Sequence, residues 1–258
     1  MTHWRREGAE DGIPLILVHG ATVPSWTFDR LVPPLLQAGF QTLRFDLYGH
    51  GLSARPSGAY SLERFVNQTI QIIEASHFPR PAIMLGHSFG AVVVAAVAAA
   101  RPEWISRLVF AAPMLNYNAT SSWTKVFQRP GVGELAMHCL GIPTLIRRRQ
   151  RRYRHIGQAH LAQRFVEQVA DGKFARGLLS MIRTGALGDQ STRYAALRDL
   201  NRELLLITGA IDAVLPLDHV TRIRSLLPSH TYRQVNAEHN LLLTHPDAVV
   251  STVLDWLS

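Results

Sequence analysis

The sequence predicts an α/β protein with a mostly parallel, doubly wound sheet that is interrupted by a helical insertion. Short apolar runs alternate with helical patterns through residues 13–114 and again through 201–257. Strands that alternate with helices form parallel sheets with helices on both faces. Between these stretches, residues 115–200 have helical spacing and no clear strand. We therefore expect a core formed by 1–114 and 201–258, and a helical cap formed by 115–200 above the sheet edge where such sheets bind ligands.

Strands are predicted where short apolar or β-branched runs lie between turn residues. The first is an edge strand that ends before a turn at Glu10-Asp11-Gly12, and most of the later ones are buried. In order, the predicted strands are residues 4–7, 13–18, 41–45, 82–85, 108–112, 203–208 and 231–235.

Helices are predicted from apolar spacing and from the residues that begin and end them. The first would be capped by Thr27, disturbed by Pro33-Pro34 and stopped by Gly39, and a later one would be capped by Asp218. The helices predicted in the core are residues 27–37, 61–76, 91–100, 217–227 and 246–257. In the insertion, helical spacing covers Ser122–Phe127, 135–140, 146–156, 159–169 and 174–183.

The stretch Gly86-His87-Ser88-Phe89-Gly90 places a serine between two glycines. An apolar strand precedes it, and a run of small and β-branched apolar residues, 91–100, follows it as a buried helix. Strand, tight turn and helix are the context of a nucleophile elbow, where the turn leaves no room for a side chain two residues to either side of the serine. The helix N-terminus also supplies N–H groups and a positive dipole end for a developing oxyanion. The sequence therefore predicts Ser88 as a nucleophile.

A serine nucleophile needs a general base, and the base needs a group that orients it. Asp212 follows the sixth predicted strand, and His239 follows the seventh. Both therefore lie at the sheet edge that carries Ser88, and the order serine, aspartate, histidine is a known order for such triads. Asp218 is the alternative acid, but we expect it to cap the helix that begins there.

Two other histidines near these residues are weaker candidates for the base. His87 lies inside the elbow and is too close in sequence to reach the serine hydroxyl. His245 precedes Pro246 and is expected to be the entry residue of the last helix.

Four motifs together give the chain a specific resemblance. They are His19-Gly20 after a strand, Asp46-x-x-Gly49-x-Gly51-x-Ser53, Gly86-x-Ser88-x-Gly90, and Gly209-x-x-Asp212 with a late His239. On these motifs the chain resembles serine hydrolases of the α/β-hydrolase fold family, in particular the capped, cofactor-free, esterase-like members. The resemblance covers residues 13–114 and 201–257.

The resemblance implies a role for each site residue. Ser88 would attack an acyl carbon, His239 would take its proton, and Asp212 would orient the imidazole. The backbone N–H groups of Ala21 and Phe89 would hold the oxyanion. The resemblance implies no metal and no cofactor.

The chain also departs from the pattern of this family. Glu238 stands where a glycine usually precedes the histidine, which places an extra carboxylate beside the predicted base. The short N-terminal segment suggests that one or two early strands of the family are missing or reduced.

The composition limits the classes of protein to consider. Cys139 is the only cysteine among the 258 residues, and neither an apolar signal segment nor a run of about 18 apolar residues occurs. These features predict a cytoplasmic protein with no transmembrane segment. From the resemblance to hydrolases we expect a small-molecule substrate. We expect no nucleic-acid partner, because the chain has no module that reads nucleic acid.

The net charge of +8 comes from the predicted cap, where residues 115–200 hold 14 Lys/Arg and 5 Asp/Glu. Six of these arginines lie between Arg147 and Arg154. One interpretation is a solvated helix face. The other is recognition of an anionic partner, such as a substrate phosphate or carboxylate, an acidic carrier protein or an anionic membrane surface.

The leading hypothesis is a serine hydrolase that cleaves a carboxylic ester or thioester. A carbon–carbon bond hydrolase uses the same triad, and some proteins of this fold keep the triad and act as ligand receptors. Dehalogenases and epoxide hydrolases are disfavoured, because these relatives carry aspartate where this chain has Ser88.

Overall fold

The computed structural model describes residues 1–120, 123–170 and 172–258. Its centre is a seven-stranded sheet in the order β1-β3-β2-β4-β5-β6-β7, in which only β1 runs antiparallel to its neighbour. The strands are β1 (Trp4–Glu7), β2 (Ile13–Val18), β3 (Phe40–Phe45), β4 (Ala82–His87), β5 (Ile105–Ala111), β6 (Glu203–Gly209) and β7 (Thr231–Val235). This arrangement confirms the predicted α/β fold with its mostly parallel sheet.

Helices cover both faces of the sheet, as a doubly wound fold requires. The helices of the core are α1 (Val32–Gln37), α2 (Leu62–Ala75), α3 (Phe89–Ala100), α11 (Leu217–Leu226), α12 (Leu241–Thr244) and α13 (Pro246–Leu257). Side chains alternate between the two faces along each strand. In β2, for example, Ile16 joins the core beneath α2 and α3, whereas Leu17 joins the core beneath α1 and α13.

The prediction of one helix from Thr27 to Gln37 is wrong. Ser25–Phe28 forms a single 3-10 turn, and α1 begins only at Val32. Pro33 and Pro34 therefore occupy the first turn of α1, where the missing N–H of proline costs nothing. The two prolines mark the beginning of the helix and do not interrupt it.

The predicted role of Asp218 as a helix cap is also wrong. Helix α11 has Pro216 at its N-cap position, and Asp218 lies in its first turn. A carboxylate there still interacts favourably with the helix dipole.

Between β5 and β6 the chain forms a series of helices, which we call the inserted segment (residues 115–200). They are α4 (Tyr117–Thr120), α5 (Thr124–Phe127), α6 (Val132–Ala136), a π-helical turn at Met137–Gly141, α7 (Ile142–His155), α8 (Ala159–Val169), α9 (Lys173–Arg183) and α10 (Ser191–Ala195). No strand occurs among the described residues of this segment. Ser122, where a helix was predicted to begin, lies outside the described residues.

A separate apolar cluster joins the inserted segment to loops at the carboxyl edge of the sheet. Tyr153, Phe165 and Phe174 of α7, α8 and α9 pack in it against Trp26 and Leu243 of the core. The segment therefore lies against the 3-10 turn that follows β2 and against α12, which follows β7. Within the described ranges, no helix is both long and apolar enough to span a bilayer.

Candidate active site

The site lies where the order of the strands changes direction. From β2 the chain moves to β3 on one side, and it then returns to β4 on the other side of β2. Open α/β sheets bind ligands in the crevice at such a switch point, beyond the carboxyl ends of the strands. Gly20 follows β2 there, and Ser88 follows β4.

Ser88 has the backbone geometry of a nucleophile elbow. Its φ is 53° and its ψ is −116°, a region that costs a residue with a β-carbon on the order of 1–3 kcal/mol. The turn is held because the Ser88 N–H donates to Ala111 and its carbonyl accepts from Met114. A β-carbon on Gly86 would lie 2.5 Å from the Ala91 Cα.

Gly90 is under a stronger constraint on the other side of the serine. A β-carbon there would lie 2.1 Å from the carbonyl oxygen of Val18, in the neighbouring strand. The two glycines are therefore needed for steric reasons, because helix α3 packs directly against β2 and β4.

Ser88, His239 and Asp212 form a continuous hydrogen-bonded chain. The Nε2 atom of His239 lies 3.0 Å from Ser88 Oγ, and Nδ1 lies 2.8 Å from Asp212 Oδ2. The imidazole is 12 % exposed and the Asp212 carboxylate 2 % exposed, so little water competes for these bonds. Asp218, the alternative acid, is exposed on α11.

Both oxygens of Asp212 are engaged. Oδ1 accepts hydrogen bonds from the N–H groups of Val214 and Leu215, at 2.8 and 2.9 Å. Burial by itself would raise the pKa of Asp212, but the hydrogen bond and charge of His239, with the two amides, outweigh it and hold the pKa below its ordinary value. The carboxylate is therefore ionised and fixed in orientation at neutral pH.

His87 has a role that the sequence did not indicate. Its ring lies 5.4 Å from that of His239, centroid to centroid, and its Nε2 atom lies 3.0 Å from the carbonyl oxygen of His239. Burial, followed by the charge of His239, lowers the pKa of His87 to about 3. A neutral His87 that donates from Nε2 therefore anchors the backbone of the predicted base.

The two residues predicted to supply the oxyanion N–H groups belong to segments that adjoin Ser88. Phe89 is the first residue of α3, and N–H groups in a first helical turn have no acceptor within the helix. Ala21 follows Gly20, on which a β-carbon would lie 3.3 Å from the Ser88 Cβ.

His19 fixes the peptide group that carries the Ala21 N–H. Its Nδ1 atom donates to the carbonyl oxygen of Gly20 at 2.7 Å, and its Nε2 accepts from the Leu47 N–H at 2.8 Å. In a trans peptide the N–H points opposite to the carbonyl, so a bond to Gly20 O sets the direction of the Ala21 N–H. The sequence showed the motif His19-Gly20 but did not predict that His19 would orient this peptide group.

The Asp46 motif is structural. The Asp46 carboxylate accepts hydrogen bonds from the N–H and Oγ of Ser25 and from the N–H of Leu52. Ser53 donates its hydroxyl to the Asp46 carbonyl at 2.5 Å. These bonds join the loop after β3 to the loop after β2, and thereby support the chain around Gly20.

The inserted segment reaches the site through α7. Arg152 of α7 forms an ion pair with Glu238, the residue before His239. The carboxylate that departs from the family pattern is thus engaged by the inserted segment.

The family of the chain follows from comparison with known proteins. Residues 15–252 match the alpha/beta hydrolase family, so the chain belongs to it. A serine hydrolase-like protein from Homo sapiens is 36% identical over 104 residues, which cover 40% of this chain and 50% of that protein. The chain therefore spans only about half the length of that relative.

Two further proteins match along nearly the whole chain. A pimeloyl-[acyl-carrier protein] methyl ester esterase from Salmonella agona is 26% identical over 97% of this chain and 96% of its own length. The crystal structure of the enol-lactonase from Burkholderia xenovorans superposes with a TM-score of 0.80 over 99% of this chain and 96% of that chain, at 21% identity. The structural match supports the fold, and the protein is a hydrolase of this family.

Proposed function

We propose that the protein cleaves a carboxylic ester or thioester with Ser88 as nucleophile, His239 as base and Asp212 as the group that orients the base. The observation that carries this proposal is the hydrogen-bonded chain from Ser88 Oγ through His239 to Asp212 on a strained elbow. Because Asp212 accepts from Nδ1, the neutral His239 has Nε2 free to take the serine proton.

In the proposed reaction the serine oxygen attacks the acyl carbon as His239 takes its proton. The N–H groups of Ala21 and Phe89 stabilise the oxyanion, and His239 then protonates the leaving alcohol or thiol. Water then attacks the acyl-enzyme as His239 takes its proton, and His239 returns that proton to Ser88 Oγ as the acid leaves. Loss of one oxyanion donor in such sites typically raises the barrier by about 3–4 kcal/mol.

We also propose that residues 115–200 act as a cap on a core formed by 1–114 and 201–258. The packing of the inserted segment on Trp26 and Leu243 supports this division. A cap would limit the entry of water and shape the substrate pocket. The exposed arginines of α7 could bind an acidic carrier protein that presents the ester. The enzyme would be cytoplasmic, which is consistent with its single, exposed cysteine.

The test is intact-protein mass after exposure to a fluorophosphonate, with wild type beside Ser88→Ala. We expect one covalent adduct on wild type and none on the variant, followed by turnover of p-nitrophenyl esters by wild type alone. An adduct on both proteins would contradict the assignment of Ser88. An adduct on wild type without turnover of esters or thioesters would favour the carbon–carbon hydrolase, and tight retention of a ligand without an adduct would favour a receptor.

A further inference from the structure

The arginine-rich stretch of α7 has two different faces. Arg149, Arg152 and Tyr153 follow the spacing of one helix face. Arg149 and Arg152 are half-buried and Tyr153 is fully buried, whereas the remaining arginines of the stretch, Arg147, Arg148, Arg151 and Arg154, are exposed. The exposed arginines form the predicted solvated face, and the other two face the core.

The two inward arginines differ in their partners. Arg152 is neutralised by Glu238. Arg149 donates from Nη2 to the Thr22 hydroxyl at 2.8 Å, and its guanidinium lies 5.8 Å from the centre of the Phe165 ring. Among the described residues, no carboxylate lies within ion-pair distance of Arg149. A half-buried cation without a counterion is costly, and an anionic ligand would offset that cost.

Tyr153 adds a second unsatisfied group at the same place. Its side chain is 0 % exposed and lies beside the Arg149 guanidinium. No described residue gives its hydroxyl a hydrogen bond of normal geometry. Buried hydroxyls normally have a partner, so this one has capacity for a ligand atom.

Arg149 also contacts the loop that carries the predicted oxyanion donor. Thr22, which accepts its hydrogen bond, directly follows Ala21, the predicted oxyanion donor. Burial and the charge of His239 lower the pKa of His87, the residue before Ser88, and the charge of Arg149 lowers it further. An anion bound at Arg149 would therefore belong to the molecule whose acyl group is at Ser88.

We propose that Arg149, assisted by the Tyr153 hydroxyl, binds a free carboxylate of the substrate. The guanidinium presents two parallel N–H groups, which match the two oxygens of a carboxylate. The preferred substrates would then be monoesters of dicarboxylic acids, or lactones and thioesters that carry a second, free carboxylate. This inference rests on the proposed function for the cleaved bond and adds the substrate class.

The test compares two esters that share the same acyl chain and the same methyl ester bond, monomethyl adipate and dimethyl adipate. Wild type, Arg149→Gln and Arg151→Gln are assayed by pH-stat. Arg151→Gln is the matched control, because it removes the same charge from the exposed face of the same helix.

We expect wild type and Arg151→Gln to prefer the monoester by about 10- to 100-fold in kcat/KM. Arg149→Gln should lose that preference and keep its rate on the diester, which also shows that the variant is folded. The inference would be overturned if wild type hydrolysed both esters at equal rates. It would also be overturned if the two variants lost the preference for the monoester to the same extent. If Arg149→Gln alone lost activity on both esters, Arg149 would have a structural role, and the inference would also be overturned.

Binding to Ser88→Ala, measured by calorimetry, separates this inference from the proposed function. Monomethyl adipate should bind Ser88→Ala about 10-fold or more tightly than dimethyl adipate, and the added Arg149→Gln change should remove the difference. This result can hold even if the proposed reaction fails. Stronger competition by inorganic phosphate than by adipate would reassign the subsite to a phosphoryl group and overturn the carboxylate assignment.

Discussion

His87 Nε2 lies 3.0 Å from the carbonyl oxygen of His239, so the residue before the predicted nucleophile holds the backbone of the predicted base. The contact joins β4 to the loop after β7, across two intervening strands of the sheet. Because the His87 ring is buried and held in place, the contact limits the movement of His239 relative to Ser88. The distance between Ser88 Oγ and His239 Nε2 therefore depends on His87, although His87 forms no hydrogen bond with either of these atoms.

Replacement of His87 should slow ester turnover without removing it. His87→Leu loses the hydrogen bond to His239, and such a bond contributes about 0.5–1.5 kcal/mol, or roughly 2- to 13-fold in kcat if it acts wholly through orientation. His87→Gln, which keeps a donor, should fall between wild type and His87→Leu. Steady-state kinetics on a p-nitrophenyl ester measures the change, and a rise in KM with an unchanged kcat would contradict a positioning role.

Of the two aspartates Asp212 and Asp218, only Asp212 should affect turnover when it is changed to asparagine. Asp212→Asn should lower kcat by roughly 10⁴-fold, because an amide can donate to Nδ1 and so favours the wrong imidazole tautomer. Asp218→Asn is the matched control and should keep the wild-type rate, since Asp218 is exposed in the first turn of α11. A similar loss in both variants, measured on one ester, would contradict the assignment of the acid.

Gly90, the last residue of the elbow, should not tolerate a β-carbon. In Gly90→Ala the new methyl group would meet the Val18 carbonyl, so either α3 or β2 must shift. We expect destabilisation of about 1–3 kcal/mol in urea unfolding, with loss of ester turnover. Gly177→Ala, in the middle of α9 with no atom closer than 3.6 Å to the new carbon, should be neutral or stabilising by up to about 1 kcal/mol. Equal stability of the two variants would show that α3 can move away from β2.

Much of the core could be predicted from local patterns. The strand at Ile13–Val18 and the helices that follow Ser61 and Ser88 were predicted closely, because apolar runs, capping residues and the elbow motif all act over a few residues. The first helix was misplaced because Thr27 is a common cap and a proline pair is a common break. Its true beginning at Val32 depends on the packing of the preceding 3-10 turn.

The sequence predicted the three residues of the candidate triad but not the contacts that hold the surrounding loops in place. Ser88, Asp212 and His239 each follow a strand, so the topology alone brings them to one edge. The contacts of His19 with the Leu47 N–H and of Arg149 with the Thr22 hydroxyl join segments far apart in sequence. No periodicity or motif specifies such contacts, because they depend on how distant segments of the chain pack against each other.

Buried neutral histidines should make the fold less stable as the pH falls. Burial lowers the pKa of His87 to about 3 and also lowers the pKa values of His19 and His50. An unfolded histidine has a pKa of about 6.5. Between these values the unfolded chain binds more protons than the folded chain, so the free energy of unfolding rises with pH in this range. Stability from these residues is therefore complete above pH 7 and is lost as the pH falls below about 6.5.

The His87 contribution can be isolated by urea unfolding between pH 5 and 6, above the range in which most carboxylates titrate. His87→Leu removes one such group, so its free energy of unfolding should vary less steeply with pH than that of wild type. The difference in slope should be up to about 1.4 kcal/mol per pH unit, because one proton then separates the two states. Parallel curves for wild type and His87→Leu would mean that His87 takes up a proton in the folded protein as readily as in the unfolded chain.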